Sequence, residues 1–585
     1  MELVYLWVEE YKNIHKQGFN FSPRFECKFH DEYDEDGNLK DDCKLEIKSK
    51  EHIENFFGDN INVTAIVGKN GSGKSNLLKL IFNEHIGEKA FFIMKIDKMR
   101  LKVYGISLDK AFYPNNTIEI TTFKESNSFK CNNLESGRLS SQCINFYTPL
   151  LQDSLIRNDA DNKIDLSPTA LLDSYLEEHQ SLYFKPTFKT LHSIYKSNNI
   201  KNIIDMLQNN KEFKLPFKSP DKLTIMINTI TEKEEYKEEY KFLQTKKRSE
   251  ENFYEYVEQR AIKNWFEKTF DDFYQKEKNN VTPVLEKIKE NFGESYSISN
   301  LVANIPTEYT ILIDSKEQKV SISFLQEELK DIEAFIKIIR DFPNSTTNSL
   351  TIEIDKIPRD LIEKYNKLSF FFFSLDFSWY PELSTGQETF LSQFALFYKN
   401  KKSNSILLID EGETTMHPDW QKKYINYMIE FFKNNMGNKN IHIILASHSP
   451  FILSDLPKEN VIFLKDGEQV KGIEKKQTFG ANIHTLLSDG FFMEEGLMGE
   501  FAKNKIQEIM DFLNSNKDIK DFYISQQQIK LIIESIGEDL LRMKLLDMYY
   551  EKFEEDELEK EKQQLLEKQK ELKKLIESIE KKQEK

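Results

Sequence analysis

The stretch Gly68-Lys69-Asn70-Gly71-Ser72-Gly73-Lys74-Ser75-Asn76 constrains the fold of this chain more than any other. It fits G-x-x-x-x-G-K-[ST] at every fixed position, and its flanks supply the context that the pattern needs. Before it, Ile61-Asn62-Val63-Thr64-Ala65-Ile66-Val67 is a β-branched run bounded by Gly68, which predicts a buried strand. After it, Asn76-Leu77-Leu78-Lys79-Leu80-Ile81 carries apolar residues at helical spacing. Strand, glycine loop and helix predict an α/β domain. In that setting the loop's backbone N–H groups and the helix dipole cradle phosphates. Lys74 is expected at the β- and γ-phosphates and the Ser75 hydroxyl on Mg2+.

Two further strands end in chemistry. Ser405-Ile406-Leu407-Leu408-Ile409-Asp410-Glu411 is an apolar run closed by two carboxylates. Beside a phosphate loop these are expected to serve ATP: Asp410 as a Mg2+ ligand and Glu411 as the base that orients the attacking water. Phosphoryl transfer is mostly positioning and charge neutralisation, so one cation, one lysine and one such base suffice. The run His442-Ile443-Ile444-Leu445-Ala446-Ser447 ends in His448-Ser449-Pro450. A histidine leaving a parallel sheet at its carboxyl edge is placed where ligands bind, which favours sensing of the γ-phosphate.

The order of the phosphate loop, Leu383-Ser384-Thr385-Gly386-Gln387, Asp410-Glu411 and His448 resembles the ABC-type ATPase heads of the SMC, RecF and OLD group. The resemblance covers roughly residues 1–155 and 365–490. It implies an α/β ABC-type P-loop NTPase head, a mixed sheet with flanking helices, that dimerises head to head around ATP. It also implies that Ser384, Gly386 and Gln387 contact the ATP of the opposite subunit and that His448 senses the γ-phosphate. The loop Glu411-Gly412-Glu413-Thr414-Thr415-Met416-His417-Pro418 is similar to the family's segment after the catalytic acid, with Gly412 where proline is commoner. The family's glutamine between the lobes corresponds to either Gln142 or Gln152, which flank Ile144–Tyr147.

Length and charge agree with a large enzyme core. The 585 residues suffice for two to four domain-sized units. There is no run of eighteen apolar residues to span a membrane and no secretory leader at Met1-Glu2-Leu3-Val4-Tyr5. Four cysteines without C-x-x-C spacing read as thiols of a reducing cytoplasm. A net charge of −16 argues against indiscriminate coating of nucleic acid while permitting a local basic groove.

The expected organisation has four parts. Residues 1–155 form a first lobe with the phosphate loop and strands near 3–8, 24–29, 43–49, 62–67, 117–122 and 144–147. Residues 156–365 form a mostly helical insertion with some strands, lacking the heptads of an SMC arm. It either packs on the lobe or offers a platform for a partner or DNA. Residues 366–490 form the second lobe, with a signature helix over 387–398. Residues 491–585 are helical. They end in a charged tail where Leu558, Leu565, Leu572 and Ile579 recur every seven residues while the intervening seam positions are mostly charged. That pattern allows a solitary charged helix or a short coiled coil.

OLD-like nucleases of the resembling group append a TOPRIM domain that needs an Asp-x-Asp after a strand. None follows residue 466 on an apolar strand, and His484 is the only histidine after His448, so a nuclease in the same chain is not expected. The segment Thr478–Asp489 with Gly499–Ile506 resembles the post-head region of ATPases of bacterial anti-phage systems, the Septu family PtuA above all, also present in some retron systems. That family works with a separate HNH nuclease, PtuB. The resemblance therefore implies a head homodimer or higher oligomer, an HNH nuclease subunit and DNA or retron nucleic acid as candidate partners. A RecF-like repair ATPase acting directly on DNA is the alternative reading. A transporter ATPase fits the insertion and the tail poorly.

Overall fold

A computed structural model of the chain describes residues 2–37, 39–40, 43–82, 90–96, 100–106, 117–119, 126–130, 143–149, 163–179, 188–227, 252–276, 297–305, 308–313, 316–321, 323–368, 375–401, 405–437, 439–470, 477–490 and 498–583. The chain divides into two compact units, residues 1–492 and 493–585.

The centre of the first unit is a seven-stranded sheet in the order Lys163–Asp165, Cys143–Tyr147, Ser405–Asp410, Ile441–Ser447, Ile61–Val67, Val461–Lys465, Glu468–Val470. All neighbours are parallel except the last pair, which is a hairpin. Parallel sheets are covered on both faces, so their strands read as continuous apolar runs. The strands Ser405–Asp410 and Ile441–Ser447 are buried at every position. Side chains alternate between two cores. Val63, Ala65, Leu407, Ile409, Ile443 and Leu445 enter one, and Ile66, Ile406, Leu408, Ile444 and Ala446 the other.

The second of those cores is closed by an antiparallel sheet, order Ile14–Asn20, Glu2–Tyr11, Ala90–Lys95, Arg100–Ile106, Thr117–Glu119. A further three-stranded sheet, Phe25–His30, Lys44–Ser49 and Ser126–Lys130, packs Phe25, Cys27, Phe29, Leu45 and Ile47 against its other face. Cys27 and Cys43 are buried free thiols in this layer. Of the strand expected near 117–122, residues 117–119 are described as strand. The expected set lacked Ile14–Asn20, Ala90–Lys95, Arg100–Ile106 and Ser126–Lys130, which also belong to this lobe.

The region between the lobes packs onto the parallel sheet. Helix Phe188–Asn209 lies against helices Arg359–Leu368 and Thr385–Lys399. Trp265, Phe266, Leu329, Ile332 and Phe335 join the same core as Val63 and Leu407. Its three-stranded sheet takes Ser349–Glu353 and Lys222–Ile227 from the region itself. The third strand, Leu375–Tyr380, lies beyond the expected boundary at residue 365. The second unit is helical around Ile509, Phe512, Ile529, Ile533, Leu545 and Tyr549. Its last helix, Asp539–Gln583, is broken by a non-helical backbone at Phe553. Among the described residues no helix is long and apolar enough to cross a membrane.

Candidate nucleotide site

The registers bring the functional segments to one edge. Asp410 pairs with Ala446, and Ser447 with Val67, so the ends of three adjacent strands are level. Each chain then leaves the sheet as Gly68, Glu411 or His448, at the carboxyl edge where open α/β sheets bind ligands.

The phosphate loop is shaped as its composition requires. Gly71 and Gly73 take φ of +77° and +105°, left-handed backbone that favours glycine. The following helix begins at Lys74. Lys74 is 5% exposed, and its Nζ donates to the carbonyls of Gly68 and Lys69, both at 3.1 Å. Burial lowers its pKa, while the charges of Glu411 and Asp410 oppose that shift. A buried ammonium held, among the described residues, only by two backbone carbonyls fits an anionic ligand, which would supply better acceptors. Ser72 Oγ is buried with no partner, a second polar atom inside the cradle.

Ser75 Oγ donates to Asp410 Oδ1 at 3.1 Å. A hydroxyl paired with a carboxylate at the helix start is a hard-oxygen donor set of the kind Mg2+ takes, with phosphate and water completing its shell. These residues fit the metal.

Glu411 takes φ of +53°, an uncommon conformation for a non-glycine residue. Its N–H donates to Ala446 O at 3.0 Å, and its Oε1 lies 3.4 Å from His448 Nε2. Thr414 Oγ1 donates to the Glu411 carbonyl at 2.8 Å. Burial lowers the His448 pKa and the Lys74 cation lowers it further, against the pull of Asp410. Both lowering effects favour the neutral imidazole beside Glu411.

Ser384 and Gln387 form a capping box at the start of helix Thr385–Lys399: Gln387 N–H donates to Ser384 Oγ at 3.4 Å and Ser384 N–H to Gln387 Oε1 at 2.8 Å. Ser384 is exposed, so this helix presents an uncovered, dipole-positive end. A Cβ on Gly386 would come within 2.8 Å of the Thr415 carbonyl, so this glycine lets the signature touch the loop after Glu411. A Cβ at Gly412 would meet Ile409 Cγ2 at 2.6 Å and both Gln393 Nε2 and Tyr424 OH at 2.7 Å. The filled space leaves no room for a side chain at Gly412. Gln142 and Gln152 lie outside the described residues.

Two contributors were not singled out from the sequence. Asn13, in the turn between the first two strands, donates to Gly71 O at 3.1 Å and accepts from Asn76 Nδ2 at 2.9 Å. Lys12 Nζ donates to Asn76 Oδ1 at 3.2 Å, which places a cation beside the loop. The turn-forming Lys-Asn pair before a second strand was the available signal.

A glycine-rich loop around a buried lysine, a Ser–Asp pair, a strand-end acid and a histidine thus meet at one sheet edge, the arrangement of a P-loop nucleotide site. Residues 37–453 match the family described as AAA ATPase domain, and the chain belongs to that family. It is also similar to an Escherichia coli protein named "Retron Ec83 probable ATPase", 29% identical over 131 residues, 20% of this chain. The match spans 22% of that relative's length.

Proposed function

We propose that the chain binds ATP with Mg2+ and hydrolyses it, and that two copies close head to head to do so. The meeting of Lys74, Ser75, Asp410, Glu411 and His448 at one sheet edge carries this reading. Lys74 exchanges its carbonyl partners for phosphate oxygens. Ser75 and Asp410 would hold Mg2+, which would neutralise charge on those oxygens. Glu411, at the mouth of its strand, orients the water and takes its proton. Neutral His448 donates a hydrogen bond toward the γ-phosphate.

The exposed, capped start of the signature helix supports service in trans: Ser384, Gly386 and Gln387 of one copy complete the site built on the partner's phosphate loop. Mixing two inactive variants tests this. A Lys74→Ala chain combined with a Ser384→Arg chain forms heterodimers with one intact composite site, and partial ATPase activity is expected to return. Ser384 is preferable to Gly386 here, because any side chain at Gly386 also displaces its own chain's Thr415. Verified heterodimers with no recovered activity would count against closure in trans.

We further propose that the ATPase senses infection and regulates a separate HNH nuclease of PtuB type in anti-phage defence, with DNA or retron nucleic acid as a ligand. The E. coli relative's name and the resemblance of residues 478–489 and 499–506 to such ATPases support this. Purification of the chain from native cells is expected to bring the nuclease with it. DNA-stimulated hydrolysis with no co-purifying nuclease would favour the RecF-like repair reading instead.

A further inference from the structure

We infer that Glu413 is a positioning residue that clamps the Glu411 loop to the His448 turn; the inference rests on the ATPase reading above. The two groups come from different strands, and backbone pairing between those strands ends with the Glu411 N–H bond to Ala446 O. Beyond that point side chains make the connection. Ser447 Oγ donates to Glu413 Oε1, and Ser449 N–H donates to Ser447 Oγ at 2.9 Å. Ser449 Oγ then donates to Gln421 Oε1 at 2.9 Å. Gln421 Nε2 returns to the carbonyls of Glu413 at 3.4 Å and Met416 at 3.1 Å. The ring closes around His448, because its two sequence neighbours are both members.

Burial separates the two acids of this loop. The Glu411 side chain is 29% exposed, while Glu413 is 3% exposed and bonded inward. Glu413 is thus the clamp and Glu411 the group at the mouth. Burial pushes the Glu413 carboxyl up to about 7, the neighbouring charges of Glu411 and Asp410 adding to it. A carboxyl accepts from Ser447 whether charged or neutral, so glutamine can stand in for it. The strained φ of Glu411 has the same logic: such a conformation persists only where the surroundings over-determine it, and the clamp is part of those surroundings.

The test uses the full chain and the variants Glu413→Ala, Glu413→Gln, Ser447→Ala and the Glu413→Ala/Ser447→Ala double, with Glu411→Gln as the chemical control. Glu413→Ala and Ser447→Ala should each lower kcat by up to about 100-fold, the scale of a small misplacement of catalytic groups. ATP affinity, measured separately by equilibrium dialysis, should change little and also reports that each variant is folded. Glu413→Gln should recover most of the turnover that Glu413→Ala loses, and the double should be no slower than the slower single. The His448 ring titration, followed by NMR without turnover, should move toward the ordinary histidine value in both alanine variants and return in Glu413→Gln. A chain that binds ATP without turning it over would defeat the hydrolysis reading alone, since the His448 titration still decides the clamp. An unmoved titration in both alanine variants, or unchanged kcat in both, would overturn the clamp. Glu413→Gln as inactive as Glu411→Gln would also overturn it and make the carboxylate a chemical participant.

Discussion

Acid should weaken this protein through one buried ring in its central sheet. His442 is fully buried; its Nδ1 accepts the Leu3 N–H at 3.1 Å, and its Nε2 lies 2.9 Å from Thr64 Oγ1. Thr64 Oγ1 donates onward to Phe21 O at 2.7 Å, so the neutral ring gives its Nε2 proton to Thr64. Protonating Nδ1 would set two donors against each other, and burial, with the N-terminal charge adding to it, lowers the pKa from 6.5 to about 3. Between those values the unfolded chain binds a proton that the folded chain refuses. The stabilisation is therefore complete above about pH 6.5 and is lost as pH falls toward 3. The limiting slope is about 1.4 kcal/mol per pH unit for one proton. Lowering pH from 8 to 5 removes about 2 kcal/mol, roughly 30-fold in the folded-to-unfolded ratio. Urea midpoints at pH 8 and pH 5, compared with His442→Gln, which takes up no proton, isolate this term from the carboxylates. The stability gap between the two proteins should shift toward the variant by about that amount at pH 5. Equal shifts in both, or an NMR titration of His442 near pH 6.5, would refute the reasoning.

Glu411→Gln should keep ATP binding, lose most hydrolysis and accumulate a closed dimer, read by nucleotide affinity, phosphate release and light scattering; undiminished turnover would move the base elsewhere. Gly412→Ala must push apart Ile409, Gln393 and Tyr424, and overpacking of this kind costs about 1–3 kcal/mol. Its thermal midpoint and kcat should both fall, and an unchanged midpoint would show that the loop yields freely. Asn13→Ala removes two bonds that brace the phosphate loop, each worth about 0.5–1.5 kcal/mol, so ATP affinity should drop several-fold while kcat at saturation holds.

The parts of the site that were legible are those written in consecutive residues. The phosphate loop, the acidic strand end and the strand before His448 each carry their own pattern, because a buried parallel strand is a continuous apolar run with its chemistry at the carboxyl end. What could not be read depends on contacts between distant segments. Asn13 braces Gly71, and Leu3 bonds His442, across separations that no local pattern encodes. The Lys12-Asn13 turn lacks the glycine that marks tight hairpins, and Lys12 takes φ of +54° without it. Nothing in the local pattern separates Glu413 from Glu411; only the packing of Ser447 against it does. Gly412 appeared a small departure from proline until the atoms around it left no room for a Cβ.

The strand order also sets a timetable for synthesis. Strand Ile61–Val67 sits between Ile441–Ser447 and Val461–Lys465, and Gly467 N–H closes on Ser72 O at 2.9 Å. A ribosome makes the phosphate loop early, yet both neighbours of its strand arrive about 400 residues later, some 20–80 s at about 5–20 residues per second. Through that interval the strand has two open edges, and the loop lacks the acid, the histidine and the backbone that complete it. The order of synthesis therefore implies that this nucleotide site closes only after residue 467 has emerged, and truncated forms ending before that point are expected to lack ATPase activity.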